Sequence, residues 1–385
     1  VAAAAVVAVE APIGFDDRTN DMVSQSQFDA DREVFEERET DLDGLGPVYN
    51  AQACAECHEN PVTGGNSQVT VLRAGRFEGG RYTDHPGGSL IQDRALDPVL
   101  QERAMPTDNV RTFRTSLSIL GDGFVEAIPD SAFNDIRNRQ PQGMKGTIIY
   151  VPVLEAPGVS RIGRFGWKTQ HASLLSFSAD AYLNEMGITS PLQPTENTAS
   201  GLSVGAWDLV RDPEEEGTPA APFGEDIEAF ARFMRATRAP ARDAELARSS
   251  EAQNGERIFR QIGCDACHTP SITTAPAGTM INGGTFQIPT ALGGKVIHPY
   301  GDFMLHDVGT GDGIVQNGGD ATRTKMRTAP LWGLRTRSRL LHDGTALTLP
   351  EAIERHDREA RPVVQSYRRL PPDQRDSLMA FLRSL

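Results

Sequence analysis

At 385 residues the chain exceeds one small domain and suits two or three packed units, each burying its own core. Its net charge of −14 excludes nucleic acid as a partner, because phosphate binding needs concentrated Lys and Arg; a basic or dipolar protein partner fits better. No internal run reaches the roughly twenty apolar residues that a membrane-spanning helix requires, which excludes a transmembrane segment.

In chain order, Val1 to Val9 is a small apolar run ending in Glu10-Ala11-Pro12. It reads either as the tail of an export signal (residues 1–12) with a Val-x-Ala cleavage site at Ala11, or as a disordered terminus. Residues 13–45 are acid-rich, as in Phe28-Asp29-Ala30-Asp31-Arg32-Glu33, and predict short helices lying on the surface. Leu45 to Asn50 runs into Cys54-Ala55-Glu56-Cys57-His58, and Pro61-Val62-Thr63-Gly64-Gly65 leaves it as a loop. From Gln68 to Lys168, alternating runs such as Val69-Thr70-Val71-Leu72 and Thr147-Ile148-Ile149-Tyr150-Val151 predict small hairpins on a helical body.

The pattern turns helical between Ala172 and Met186, and Ile227, Phe230, Ala231 and Met234 mark an amphipathic helix after Gly224. Ala239-Pro240-Ala241 reads as a hinge. Asn254 to Gln261 forms a helix that leads into Cys264-Asp265-Ala266-Cys267-His268. Asp373 to Leu385 closes the chain as a helix whose apolar stripe, Leu378, Phe381, Leu382 and Leu385, packs on the helix before Cys264.

All four cysteines fall in the two Cys-x-x-Cys-His copies, and none is left over. That spacing lets two thiols add to the vinyl groups of one haem while the following imidazole reaches the iron from the same side. Two disulfides, one zinc site built from both pairs, and thioredoxin-like centres are the alternatives, and each leaves the histidine or the repeated frame unexplained. Haem attachment through Cys54, Cys57 and His58, and through Cys264, Cys267 and His268, is therefore the reading. Such attachment takes place outside the cytoplasm, which in a bacterium means the periplasm or beyond.

Several phrases then resemble the dihaem cytochrome c peroxidase superfamily, and within it the dihaem thiol oxidoreductase branch. They are Gly44-Leu45-Gly46-Pro47-Val48, Val125-Glu126-Ala127-Ile128-Pro129-Asp130 and Arg164-Phe165-Gly166-Trp167-Lys168 in the first half. Leu305-His306-Asp307, Arg327-Thr328-Ala329-Pro330-Leu331-Trp332-Gly333-Leu334 and Leu341-His342-Asp343-Gly344 with Leu349-Pro350-Glu351-Ala352-Ile353 follow in the second. The resemblance implies an amino-terminal haem where peroxide reacts and a carboxy-terminal haem that receives electrons from a redox partner protein. Related peroxidases carry a bridging calcium, which makes calcium a further candidate cofactor.

His58 and His268 each supply one axial ligand, so function turns on the sixth position. Met326 is the candidate at the second iron, with Met304, His306 and His342 as rivals. At the first iron only His85 and His171 compete, and both read more simply as loop or surface histidines, so an open or exchangeable site is expected. By resemblance, Glu185 moves the proton between the peroxide oxygens and Trp167 lies between the haems. The usual Asp-Gly-Arg after that tryptophan is here Lys168-Thr169-Gln170, which weakens the match; Trp332 is its alternative. Arg327 and Arg335 are candidates for the haem propionates.

The expected fold is mainly α, with two cytochrome c-like haem domains, 13–240 and 241–385, carrying long loops and small β-hairpins. The expected function is a periplasmic dihaem oxidoreductase, peroxidase-like. A pure electron carrier and an enzyme that oxidises a partner protein are the alternatives.

Overall fold

The computed structural model describes residues 9–212 and 217–385. Residues 1–8 of the expected signal tail lie outside the described residues. Val9 and Glu10 pair in parallel with Lys295 and Val296, and Ala11, the candidate cleavage position, is buried.

The expectation of a mainly α protein is corrected: 31% of the structure is helix and 17% strand, in a mixed fold of small sheets. The largest sheet is antiparallel, with Thr70–Glu78 pairing to Arg81–Asp84, Leu90–Ile91 and Val110–Thr115. Its alternating side chains and Gly79-Gly80 turn, both at positive φ, build a sheet where isolated hairpins were expected.

The helix Gln25–Glu36, capped by Ser24 accepting from the Gln27 amide, does not lie on the surface as its acidic composition suggested. Phe28 and Phe35 point inward onto Phe233, with ring centroids 5.2 and 4.9 Å apart. Asp31, also buried, is held by the Arg232 guanidinium at 2.6 and 2.8 Å. Two apolar residues one helical repeat apart suffice to dock a helix whose other faces are charged.

Helices occupy Leu174–Ala181, running into a π-helical turn Tyr182–Met186, and Glu225–Ala236. The main core draws on residues from both sides of position 240, joining Phe124, Phe133, Phe165 and Phe233 to Ile297, Phe303 and Trp332. A second core forms where Ser250–Gln261 crosses Pro372–Ser384, with Phe259, Tyr300 and Phe381 in mutual edge contact at 5.3 to 6.0 Å. Gly255 makes that crossing possible: a Cβ there would fall 1.9 Å from the Ser377 carbonyl oxygen.

One buried carboxylate ties these parts together. Glu126, fully enclosed, accepts from Arg235 Nε and NH2 at 2.7 and 2.9 Å, from the Leu174 amide at 2.9 Å and from Asn282 Nδ2 at 2.9 Å. Burial alone would raise its pKa, but Arg235 and the two neutral donors hold it below the usual carboxylate range. A carboxyl depressed in this way adds stability above its unfolded pKa, and that stability is lost as pH falls through the folded value. Glu126→Ala leaves Arg235 buried without its partner and is expected to cost about 3–5 kcal/mol by denaturant unfolding at pH 7. The cost should shrink towards pH 3; a uniform cost across that range would count against the ionic role.

Candidate functional site

The two cysteine motifs fold alike. Cys54–Glu56 and Cys264–Ala266 are single 3-10 turns in which the amides of His58 and His268 donate to the carbonyls of Cys54 and Cys264 at 3.1 and 3.0 Å. Such a turn presents both thiols and the histidine from one short segment. All four thiols are free, and burial pushes the Cys57 and Cys264 thiols up to about 12. Among the described residues no cluster of metal-ligand groups unites the two pairs, so one zinc site made from both is not built here.

Around the second motif lies a cavity of about 730 Å³, lined by Cys264, Cys267 and His268 and by apolar side chains that include Phe259, Leu331, Leu349, Ile353, Val364 and Leu382. The His268 Nδ1 atom is 3.0 Å from the Tyr300 carbonyl oxygen, so Nδ1 carries the proton and Nε2 keeps its lone pair. Burial pushes this imidazole down to about 4, so it is neutral, as a metal ligand must be.

Met326 and His356 also reach this cavity. His356 has Nδ1 2.7 Å from the Ala352 carbonyl oxygen, and burial lowers its pKa, so it too is a neutral imidazole with Nε2 unprotonated. It lies close enough to His268 to depress that pKa further. His356 was not singled out from sequence; it lies just past the helix Leu349–Glu354, and with Leu349, Ala352 and Ile353 of that helix it lines the cavity. Of the rivals named above, Met304 packs in the main core. His306 sits between Asp302 at 2.8 Å and Glu359 at 3.0 Å; although burial opposes it, these carboxylates hold its pKa well above the ordinary histidine value. A protonated imidazole has no lone pair for iron.

Arg327 and Arg337 both line the cavity, and the Nε of each is buried without a hydrogen-bond partner among the described residues. Arg335 instead faces out, over the Phe15 ring. An apolar slot with two thiols, a neutral imidazole, a second side chain able to ligate and two arginines with unspent donors fits a porphyrin with its propionates.

At the first motif His58 is half-buried, with a buried Nδ1 that has no partner among the described residues, and desolvation pushes its pKa down to about 4. Phe35 meets its ring edge-on at 6.2 Å. Glu185 is brought to the same place: Asn50 Nδ2 donates to its Oε2 at 2.7 Å, and the Asn50 and Ala51 amides donate to its carbonyl at 2.7 and 3.1 Å. Burial raises the Glu185 carboxyl and the nearby Arg73 partly offsets this, while Glu185 in turn raises the Cys57 thiol. His171 is 3.1 Å from Asp180, and His85 is committed to Asp108 at 2.8 Å and Ser200 at 3.0 Å.

Trp167 lines the cavity of the second motif, and its Nε1 donates to the Thr115 carbonyl at 2.8 Å. The next residue, Ser116, donates through Oγ to the Cys57 carbonyl at 2.6 Å. Trp332, the alternative, is buried in the main core. Among the described residues the cluster of metal-ligand side chains within reach of one ion is Cys267, Asp302 and His306, a thiol and imidazole set unlike the oxygen shell that calcium takes.

The family described as "Di-haem oxidoreductase, putative peroxidase" matches residues 92–385. The chain therefore belongs to the di-haem oxidoreductases and is a peroxidase-like enzyme with haem cofactors. The matched span holds the second motif; the first precedes it. A search of curated proteins gives no match. Among solved structures, the chain is similar to a MauG-like protein associated with microbial copper homeostasis, at 17% identity and TM-score 0.43, covering 98% of this chain and 92% of that one. It is also similar to the diheme peroxidase BthA from Burkholderia thailandensis E264, at 14% identity and TM-score 0.43, covering 99% and 95%.

Proton bookkeeping at the cavity gives a direct check. His356→Met is expected to keep the second haem and to replace a nitrogen-ligand spectrum with the near-infrared and visible bands of thioether ligation. A spectrum that changes instead in Met326→Leu would assign the sixth position to Met326.

Proposed function

We propose that the protein is an exported, periplasmic dihaem c-type cytochrome that reduces peroxide. Haem is attached covalently at Cys54 and Cys57 and at Cys264 and Cys267, with His58 and His268 as axial ligands. The two haem units correspond to 13–240 and 241–385. A redox partner protein delivers electrons at the carboxy-terminal unit, and peroxide reacts at the amino-terminal one. When bound, the iron supplies a one-electron couple and, where a coordination position is open, a place for peroxide to bind.

The observation that carries this reading is the placement of Trp167, which borders the Cys264–His268 cavity and connects through Thr115 and Ser116 to Cys57. An indole spanning two redox centres gives electrons a shorter path than the surrounding aliphatic packing. At the second motif His356 lines the same cavity as His268, and would there supply a second ligand to iron, which suits a centre that only passes electrons. Met326 takes that role if His356 does not.

At the first motif the residues are arranged for proton movement. Desolvation raises the Glu185 carboxyl above its ordinary value, and Asn50 fixes its Oε2. Its carboxylate would take a proton from one oxygen of a bound peroxide and return it to the other. Arg73, close enough to lower the Glu185 pKa, has an unpartnered Nε and steadies the charge that develops.

Partially reduced protein is expected to turn over hydrogen peroxide with a spectral change at one haem only. Neither turnover nor spectral change would favour the pure electron carrier. Glu185→Gln should keep both haem spectra and lower peroxide turnover about 100-fold or more, the usual worth of a positioned acid–base group. Unchanged turnover in that variant would remove Glu185 from the reaction.

A further inference from the structure

Lys168 stands where the resemblance led to a different residue, and its amine is enclosed within the protein beside Trp167. The side chain is 1% exposed. Its Nζ lies 2.9 Å from Asp312 Oδ1, 2.6 Å from the Lys325 carbonyl oxygen, and 3.2 Å from each of the Thr322 and Arg323 carbonyl oxygens. Four oxygens around one point, three of them neutral backbone carbonyls from a single turn, form the donor set that hard cations take.

We propose that the Lys168 ammonium is a resident cation, filling an oxygen cage that would otherwise take a free ion and so holding Trp167 in place between the two haem motifs. The proposal rests on the reading of Trp167 as the bridge. Its geometry follows from what else the cage touches. Asp312 gives its other oxygen, Oδ2, to Arg114 Nε and NH2 at 2.9 and 2.6 Å, and Arg114 precedes Thr115, whose carbonyl receives the Trp167 indole. The Trp167 carbonyl accepts from the Arg327 amide at 2.9 Å, two residues after the last cage oxygen. The strand under the indole, the loop that carries it and the segment leading to Met326 and Arg327 thus meet at one positive charge.

Burial pushes the amine down to about 8, so it is still a cation at neutral pH. A neutral side chain there would remove this donor from the Arg323 and Lys325 carbonyl oxygens and leave Arg114 as the one charge facing Asp312. Lys168 is accordingly a positioning residue: it touches neither haem motif, and it acts through Trp167.

The test uses the holoprotein with both haems. In Lys168→Ala, electron transfer between the haems after rapid one-electron reduction is expected to slow at least tenfold, with the resting spectra of both haems unchanged. Ammonium or methylammonium should restore most of the rate and raise the thermal midpoint, whereas tetramethylammonium at the same ionic strength, too bulky for the cage, should do neither. Lys168→Met, which refills the space without charge, should be slow and should not respond to ammonium. Wild-type transfer in Lys168→Met, or equal effects of the two ammonium salts on Lys168→Ala, would overturn the proposal. If Lys168→Ala does not fold, the Met variant decides the matter alone. Failure of the bridge reading is seen separately: Trp167→Phe would then transfer electrons at the wild-type rate, while the salt-specific rise in thermal midpoint would still report the cage.

Discussion

Everything about this fold depends on satisfying one carboxylate where water cannot reach it. Glu126 is enclosed on every side, and the groups that neutralise it come from Arg235, from the amino terminus of the helix at Leu174 and from Asn282. An unpaired charge in that position would cost several kcal/mol, so these segments cannot separate without breaking the structure. Arg164 extends the same logic. It is fully buried and gives its donors to the Ile162 and Ile128 carbonyls, while Asp130 receives its remaining charge. The loop that follows, through Trp167 and Lys168, is thereby launched from a fixed point.

This explains why the phrases Val125 to Asp130 and Arg164 to Lys168 stand out in the sequence. They are not at the haem motifs. They are an ionic frame, and the loop that leaves it carries the indole bordering the second motif's cavity. The clamp at Asp312 repeats the device on the far side of Trp167, with Arg114 and Lys168 sharing one carboxylate.

Some of the site was legible beforehand because its chemistry is local. A Cys-x-x-Cys-His turn brings its own ligands together whatever surrounds it, and the helices before Cys264 and at the carboxy terminus follow from their apolar spacing. His356 was not legible in the same way. Its use depends on which wall of a cavity the stripe Leu349, Ala352, Ile353 faces, and a histidine on an apolar stripe is usually a core residue. Arg337, rather than Arg335, reaches the cavity because the 3-10 turn Leu334–Thr336 has three residues per turn, which sets Arg337 on the face of Leu334. The helix Gln25–Glu36 misled because its composition is set by its exposed faces, while two phenylalanines decide where it docks.

By itself, then, the sequence determined what each short segment could bind: two thiols and an imidazole, twice, in frames that need no distant help. The tertiary structure alone decided which groups face those segments. His356, Glu185, Arg337 and Trp167 come from remote parts of the chain, and their positions follow from where buried charge must be paired and apolar faces covered.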